Sequence, residues 1–179
     1  MRTIHLQVTG TAPDGRPYAA SDPDLLTWVH VAEVSSFLAA HLRYRNPHLP
    51  RTEQDAYYNE IALIAERLGA RDVPRSCQQV EDYLQRMRPQ LHCDTRSHEV
   101  IQILLDAPAP SRLAQPVGKL MLHAGIDLLP GWAQAMLGLQ HGALQLRLLR
   151  LGLQSTAPVL RWAMRDGSAH RAKRRMGIE

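Results

Sequence analysis

Nine histidines in 179 residues are where this sequence concentrates its chemistry. Imidazole is a common metal ligand and also the side chain that exchanges protons near neutrality. His30 has the most telling setting. Asp22 followed by Pro23 reads as the N-cap and first position of a helix running to about Tyr44. On that helix, positions 30, 34, 37, 38 and 41 share a face and carry His30, Val34, Phe37, Leu38 and His41. A histidine in an apolar stripe is desolvated, which favours the neutral ring and leaves a nitrogen lone pair free for a metal such as haem iron. The same pattern fits a core histidine bonded to a backbone carbonyl, the commoner outcome, and the pattern alone leaves both open. His41, close to the helix end, is read as complementing the C-terminal dipole or as exposed.

Arg2 and His5 form a second cluster, on one face if the opening residues are helical. Beside an iron, such a pair could polarise bound oxygen or peroxide and move a proton. A frayed terminus with Arg2 at the surface is the plainer reading. The other histidines give less. His98-Glu99-Val100-Ile101-Gln102 opens like a zincin helix but has Gln102 where the second histidine belongs. His123 and Asp127 stand at i and i+4, a ligand spacing that also arises by chance. His92, Cys93 and Asp94 are adjacent and read as a solvated loop. No GxSxG elbow, GxxxxGK[ST] loop or GxGxxG turn occurs, which removes the common motifs for acyl transfer, phosphoryl transfer and dinucleotide binding.

The elements that must position these residues are nearly all helical. After Asn46-Pro47-His48-Leu49-Pro50 breaks the first long helix, Thr52 with Asp55 predicts a capping box for a second, ended by Gly69. Ser76 with Gln79 begins a third that stops at Pro89, and Asp94 or Thr95 begins a fourth, through Val100, Ile103 and Leu104, closed by Pro108 and Pro110. Residues 112–129 form another. Pro130 starts one that continues through Leu137, Leu144, Leu148 and Leu151, with Gly138 and Gly142 inside it as a site of close helix packing. A last helix spans Ala157–Met164. Only residues 1–20, with Gly10, Pro13-Asp14-Gly15 and Pro17, suggest a turn flanked by short extended pieces. The expected fold class is all-α, about seven helices in a single domain over residues 1–166, followed by a basic tail at 167–179.

Composition bounds the partners. Hydrophobic residues make up 45% and charged residues 21%, which excludes a disordered chain. Cys77 and Cys93 are too few and too far apart for a disulfide framework or a CxxC knuckle and are read as reduced thiols in a cytoplasmic protein. No uncharged apolar run of membrane-spanning length is present, so no membrane span is expected. The net charge of +4 comes from residues 161–179, and the remaining chain holds fifteen charges of each sign. A neutral body with a basic tail gives no footprint for a phosphate backbone, and no nucleic-acid role is expected.

Val8-Thr9-Gly10-Thr11, Asp14-Gly15-Arg16-Pro17-Tyr18 and Asp22-Pro23-Asp24-Leu25-Leu26-Thr27-Trp28-Val29-His30 together resemble the core signature of the MpaB / latex clearing protein (rubber oxygenase) family. Tyr57-Tyr58-Asn59-Glu60, Leu68-Gly69, Val73-Pro74, Pro108-Ala109-Pro110 and Leu128-Leu129-Pro130 follow in the family's order. The resemblance spans nearly the whole chain, and the DPxLLxWVH segment is its most specific part.

This resemblance implies an all-α protein that holds haem b and uses it for oxygen or peroxide chemistry, as in oxidative cleavage of carbon–carbon double bonds. It makes His30 the proximal iron ligand, with Val34, Phe37 and Leu38 walling the macrocycle, and Arg2 and His5 the nearest matches to the family's distal polar group. The implied substrate is apolar, a small molecule or lipid-like. Family members carry a further segment ahead of the signature, so the expectation is either a start assigned too far downstream or a shortened member. The competing expectations are a non-catalytic paralogue that completes its core as a homo-oligomer, and a helical interaction module presenting a Leu-rich face on residues 137–153.

Overall fold

The computed structural model describes residues 2–12, 14–109, 111, 114–163 and 168–177. They fall into two separately packed units, Met1–Leu91 and His92–Glu179. Among them are nine α-helices and one two-stranded sheet, so the fold is all-α with a short irregular opening.

The first unit opens with a single turn, α1 (Arg2–His5), and a hairpin of β1 (Thr9–Thr11) and β2 (Pro17–Ala19), antiparallel with Gly10 opposite Tyr18. A Cβ on Gly10 would stand 2.7 Å from the Tyr18 ring, so only glycine lets the ring lie across the strand. α2 spans Pro23–Tyr44, with the Asp22 carboxylate accepting from the amides of Asp24 (2.8 Å) and Leu25 (3.1 Å). Its buried positions, Thr27, Val31, Val34 and Leu38, recur at four, three and four residues, the stripe of one helix face. By length and composition α2 could cross a membrane. Here that stripe packs against α3 (Arg51–Leu68) and α4 (Cys77–Met87) through Tyr58, Cys77 and Val80.

α3 begins differently from expectation. Its N-cap is Pro50, whose carbonyl accepts from Glu53 (3.0 Å) and Gln54 (3.1 Å), which leaves Thr52 already helical and unable to cap. Asp55 instead accepts from the Cys77 amide at 2.7 Å and joins α3 to the start of α4; this bond holds its carboxyl below the usual range. Gly69 ends α3 at φ +114°, a left-handed conformation that glycine takes without strain. Ser76 caps α4 as its spacing predicts, and a 3₁₀ turn (Arg88–Gln90) follows at Pro89.

A polar staple fixes α2 from behind. Thr27 is buried, its hydroxyl sharing a hydrogen between the carbonyls of Pro23 (2.9 Å) and Arg71 (2.8 Å) while accepting from the Arg71 amide (3.2 Å). The segment after Gly69 is thereby tied to α2, over a small core of Ala62, Ala65, Ala70, Val73 and Leu26.

The second unit contains α5 (Thr95–Leu105), α6 (Gln115–Leu128), α7 (Gly131–Leu137), α8 (Ala143–Ala163) and α9 (Ser168–Arg175). Asp94 caps α5 in a reciprocal box with Ser97, yet Val100, Ile103 and Leu104 are all exposed. α6 packs on α8, bringing Gly152 to a Leu120 methyl at 3.5 Å from where its Cβ would stand. Buried Asp127 is gripped by Arg150 from α8 through two bonds, 3.0 and 2.9 Å.

Three expectations are corrected in this unit. The helix from Pro130 does not continue to Leu151, because Gly138 takes φ +67° and closes α7, and α8 starts afresh at Ala143. Gly138 and Gly142 therefore lie outside the helices with nothing within 4 Å of an added Cβ, and the close approach belongs to Gly152. α8 also runs unbroken through Pro158 to Ala163, so no separate helix starts at Ala157, and Met164 lies outside the described residues. Part of the basic tail forms α9. Pro13, Pro110 and residues 112–113 are likewise outside the described part.

Thr27→Val removes the staple at nearly constant volume and leaves the Arg71 amide without its partner. It should cost about 1–3 kcal/mol, seen as a lower urea midpoint at unchanged slope. Thr27→Ser should retain most of the stability.

Candidate functional site

The face expected around His30 divides into two rows. Val34 and Leu38 belong to the buried stripe and meet Tyr58, Cys77 and Val80. His30, Phe37 and His41 run along its flank, with His30 half-buried, His41 exposed and the Phe37 ring 60% exposed. The row drifts outward because the core contact of α2 is centred on Thr27, Val31, Val34 and Leu38.

His30 is the chemically unusual member of this row. Its Nε2 is shut off from solvent and has no hydrogen-bond partner. Buried polar atoms nearly always find one, so an orphan in a well-capped helix calls for an explanation. Burial also pushes the imidazole below its ordinary pKa, only partly opposed by the charge of Glu33. The result is a neutral ring with a buried nitrogen and no protein ligand. No backbone carbonyl satisfies Nε2, so the core-histidine reading is not met at that atom.

Two turns further along the same helix, an apolar cavity of about 440 Å³ opens between α2 and α3, lined by Phe37, Leu38, His41, Leu49, Tyr57 and Ile61. Tyr57 spends its hydroxyl on the Val34 carbonyl at 3.3 Å, leaving mainly carbon to face the space. Of the other predicted residues, His5 is half-buried and its Nδ1 is also enclosed without a partner. Arg2 lies in α1, but its side chain is outside the described part. The enclosed His5 Nδ1 and His30 Nε2 do not bond each other.

Several contacts were beyond sequence reasoning. Asp127, paired by spacing with His123, is taken by Arg150, and His123 instead meets His141, eighteen residues on, at 3.3 Å between Nδ1 and Nε2. The Cys93 thiol lies 3.5 Å from His98 Nε2. Cys77 is buried and its thiol pushed up to about 11 by desolvation, with the Asp55 carboxylate adding to the effect. Among the described residues no group of three or more His, Cys, Asp or Glu side chains converges as a metal cage.

α2 thus carries a neutral, enclosed and unpartnered imidazole, with an apolar cavity two turns further along it, and the family comparison defines the class as an oxygenase-type catalytic domain. A family model described as "ER-bound oxygenase mpaB/B'/Rubber oxygenase, catalytic domain" matches residues 1–175, and the chain belongs to that family. Comparison with curated proteins and with solved structures found no match.

Because the folded state holds His30 below its ordinary value of 6.5, the unfolded chain takes up that proton first. His30 therefore costs no stability above that pH, and the loss grows as pH falls through 6.5 toward the lower folded value. Urea unfolding from about pH 7.5 to about 5 should show a shallower acid loss in His30→Gln than in the native chain.

Proposed function

We propose that this chain is a haem-b-dependent oxidoreductase of the oxygenase or peroxygenase type, acting on an apolar small-molecule or lipid-like substrate, and that His30 is the residue that would hold the haem iron. The observation that carries this reading is the enclosed, unpartnered Nε2 of His30, which has the properties of a ligand nitrogen: neutral, desolvated and free of competing hydrogen bonds. Haem, when bound, supplies redox-active iron for oxygen or peroxide chemistry.

The remaining roles belong to the chain's own side chains. Val34 and Leu38, packed against Tyr58, Cys77 and Val80, would hold α2 in place as the rigid backing that carries His30. Phe37 offers an exposed aromatic face on the same flank. His5, with an enclosed Nδ1, would hold or move a proton, and Arg2 would supply a fixed positive charge beside developing negative charge. The cavity lined by Phe37, Leu38, Leu49 and Ile61 supports an apolar substrate, because it can desolvate hydrocarbon and has few groups to orient a polar one.

One observation favours a second reading, a helical interaction protein without haem. Leu144, Leu148 and Leu151 stand on one side of α8 and are 72%, 62% and 62% exposed, a face of the kind that partners cover.

Titrating the purified full chain with haemin should give a saturable Soret band, weakened or shifted in His30→Ala. Absence of a band in the native chain would overturn haem dependence, and an unchanged band in His30→Ala would overturn the ligand assignment. His5→Gln should keep the band and lower peroxide-driven turnover by about a hundredfold or more, the usual effect of losing an acid–base group.

A further inference from the structure

We infer that His123 and His141 form a binding site for a single borderline divalent transition metal ion, of the class of Zn²⁺, Cu²⁺ or Ni²⁺, in the second unit. His123 comes from α6, and His141 from the connector between α7 and α8. Their rings are 5.1 Å apart between centroids and tilted by 54°, with His123 Nδ1 3.3 Å from His141 Nε2. Two imidazole nitrogens bound at about 2.0–2.1 Å to one tetrahedral ion stand about 3.3 Å from each other. The pair already has that separation.

The chemistry of the pair agrees with its spacing. As it stands, one nitrogen must donate a hydrogen to the other, since two lone pairs facing each other repel. A metal replaces that hydrogen. The ring that donated it moves to its other tautomer or, where the pair holds an extra proton, releases one, and both nitrogens then present lone pairs to the ion. Imidazole donors select the Zn, Cu and Ni class over Mg or Ca, which prefer oxygen. Both side chains are half-buried and come from separate elements, unlike the Cys93–His98 pair, whose histidine is exposed and which joins residues five apart.

Asp127, one turn along α6, is not a third ligand, because Arg150 holds both of its oxygens. With no third protein group converging among the described residues, water completes the coordination sphere. The site is therefore an exchangeable clip rather than a closed cage. Its consequence is mechanical, since an ion joining His141 to His123 fastens the Leu139–Gly142 connector to α6 and raises the unfolding temperature with metal concentration.

The test is a Zn²⁺ titration of the full chain against a chromophoric chelator, paired with thermal unfolding and with circular dichroism to verify that each variant is folded. The expected result is one saturable site, a rise in melting temperature, and weakening in acid as protons compete. His123→Gln or His141→Gln should each weaken binding by about a hundredfold or more, beyond the about 10–100-fold that loss of an outer-shell partner brings. His141 lies in a connector, so its variant remains informative if His123→Gln unfolds. Cys93→Ser should bind as the native chain does. No saturable binding up to millimolar metal, unchanged binding in His141→Gln, or loss confined to Cys93→Ser would each overturn the site.

Discussion

The rest of the first unit depends on the desolvation of one face of α2. Thr27, Val31, Val34 and Leu38 are buried against α3 and α4, and Thr27 is bonded to both strands of chain around it, so the helix cannot roll to rehydrate its flank. His30 lies along the edge of that stripe, one turn after Thr27 and one turn before Val34, and its Nε2 is enclosed. A looser helix would let that nitrogen reach water and regain an ordinary proton affinity. The neutral imidazole is thus a product of packing one turn before and after it.

The second unit solves a different electrostatic problem with the same kind of residue. Asp127 is enclosed, with a side chain only 3% exposed, and a carboxylate at that depth requires a cation. Arg150 meets the need with two parallel bonds across the α6–α8 contact. This commitment removes Asp127 from any ligand role and leaves His123, on the same helix, to pair with the only imidazole the α7–α8 connector provides. A helical spacing of i and i+4 establishes that two side chains share a face, and nothing about which third residue claims one of them.

Legibility in the sequence followed the range of the interactions. Helix ends governed by local chemistry were readable: Asp22-Pro23, Gly69, Ser76 with Gln79, and Asp94 each act within four residues. Thr52 misled because the carbonyl of Pro50 had already started α3, so the cap-forming residue entered the helix interior. Gly138 misled because helical periodicity on either side of it, Leu137 and then Leu144 and Leu148, continues in register across a left-handed residue that breaks the backbone. At the site, His30 was legible as a histidine on a largely apolar helix, and the family resemblance singled it out. The orphaned Nε2, the outward drift of Phe37 and the His123–His141 pair were not, since each depends on neighbours distant in sequence.

The two functional readings draw on different surfaces and so do not compete for the same residues. The haem reading rests on residues of the first unit, chiefly a neutral His30 on an α2 fixed by Thr27 and the Val31–Val34–Leu38 stripe. Association requires only the uncovered Leu144–Leu148–Leu151 row of α8, in the second. A leucine row left in water at this exposure favours burial by about 25 cal/mol for each Å² covered, a drive that operates whether or not iron is bound. Self-association of the chain would therefore be no argument against an oxygenase, and its absence no argument for one. The imidazole at position 30 is the discriminating group because the haem reading needs its enclosed, unbonded nitrogen and the association reading does not.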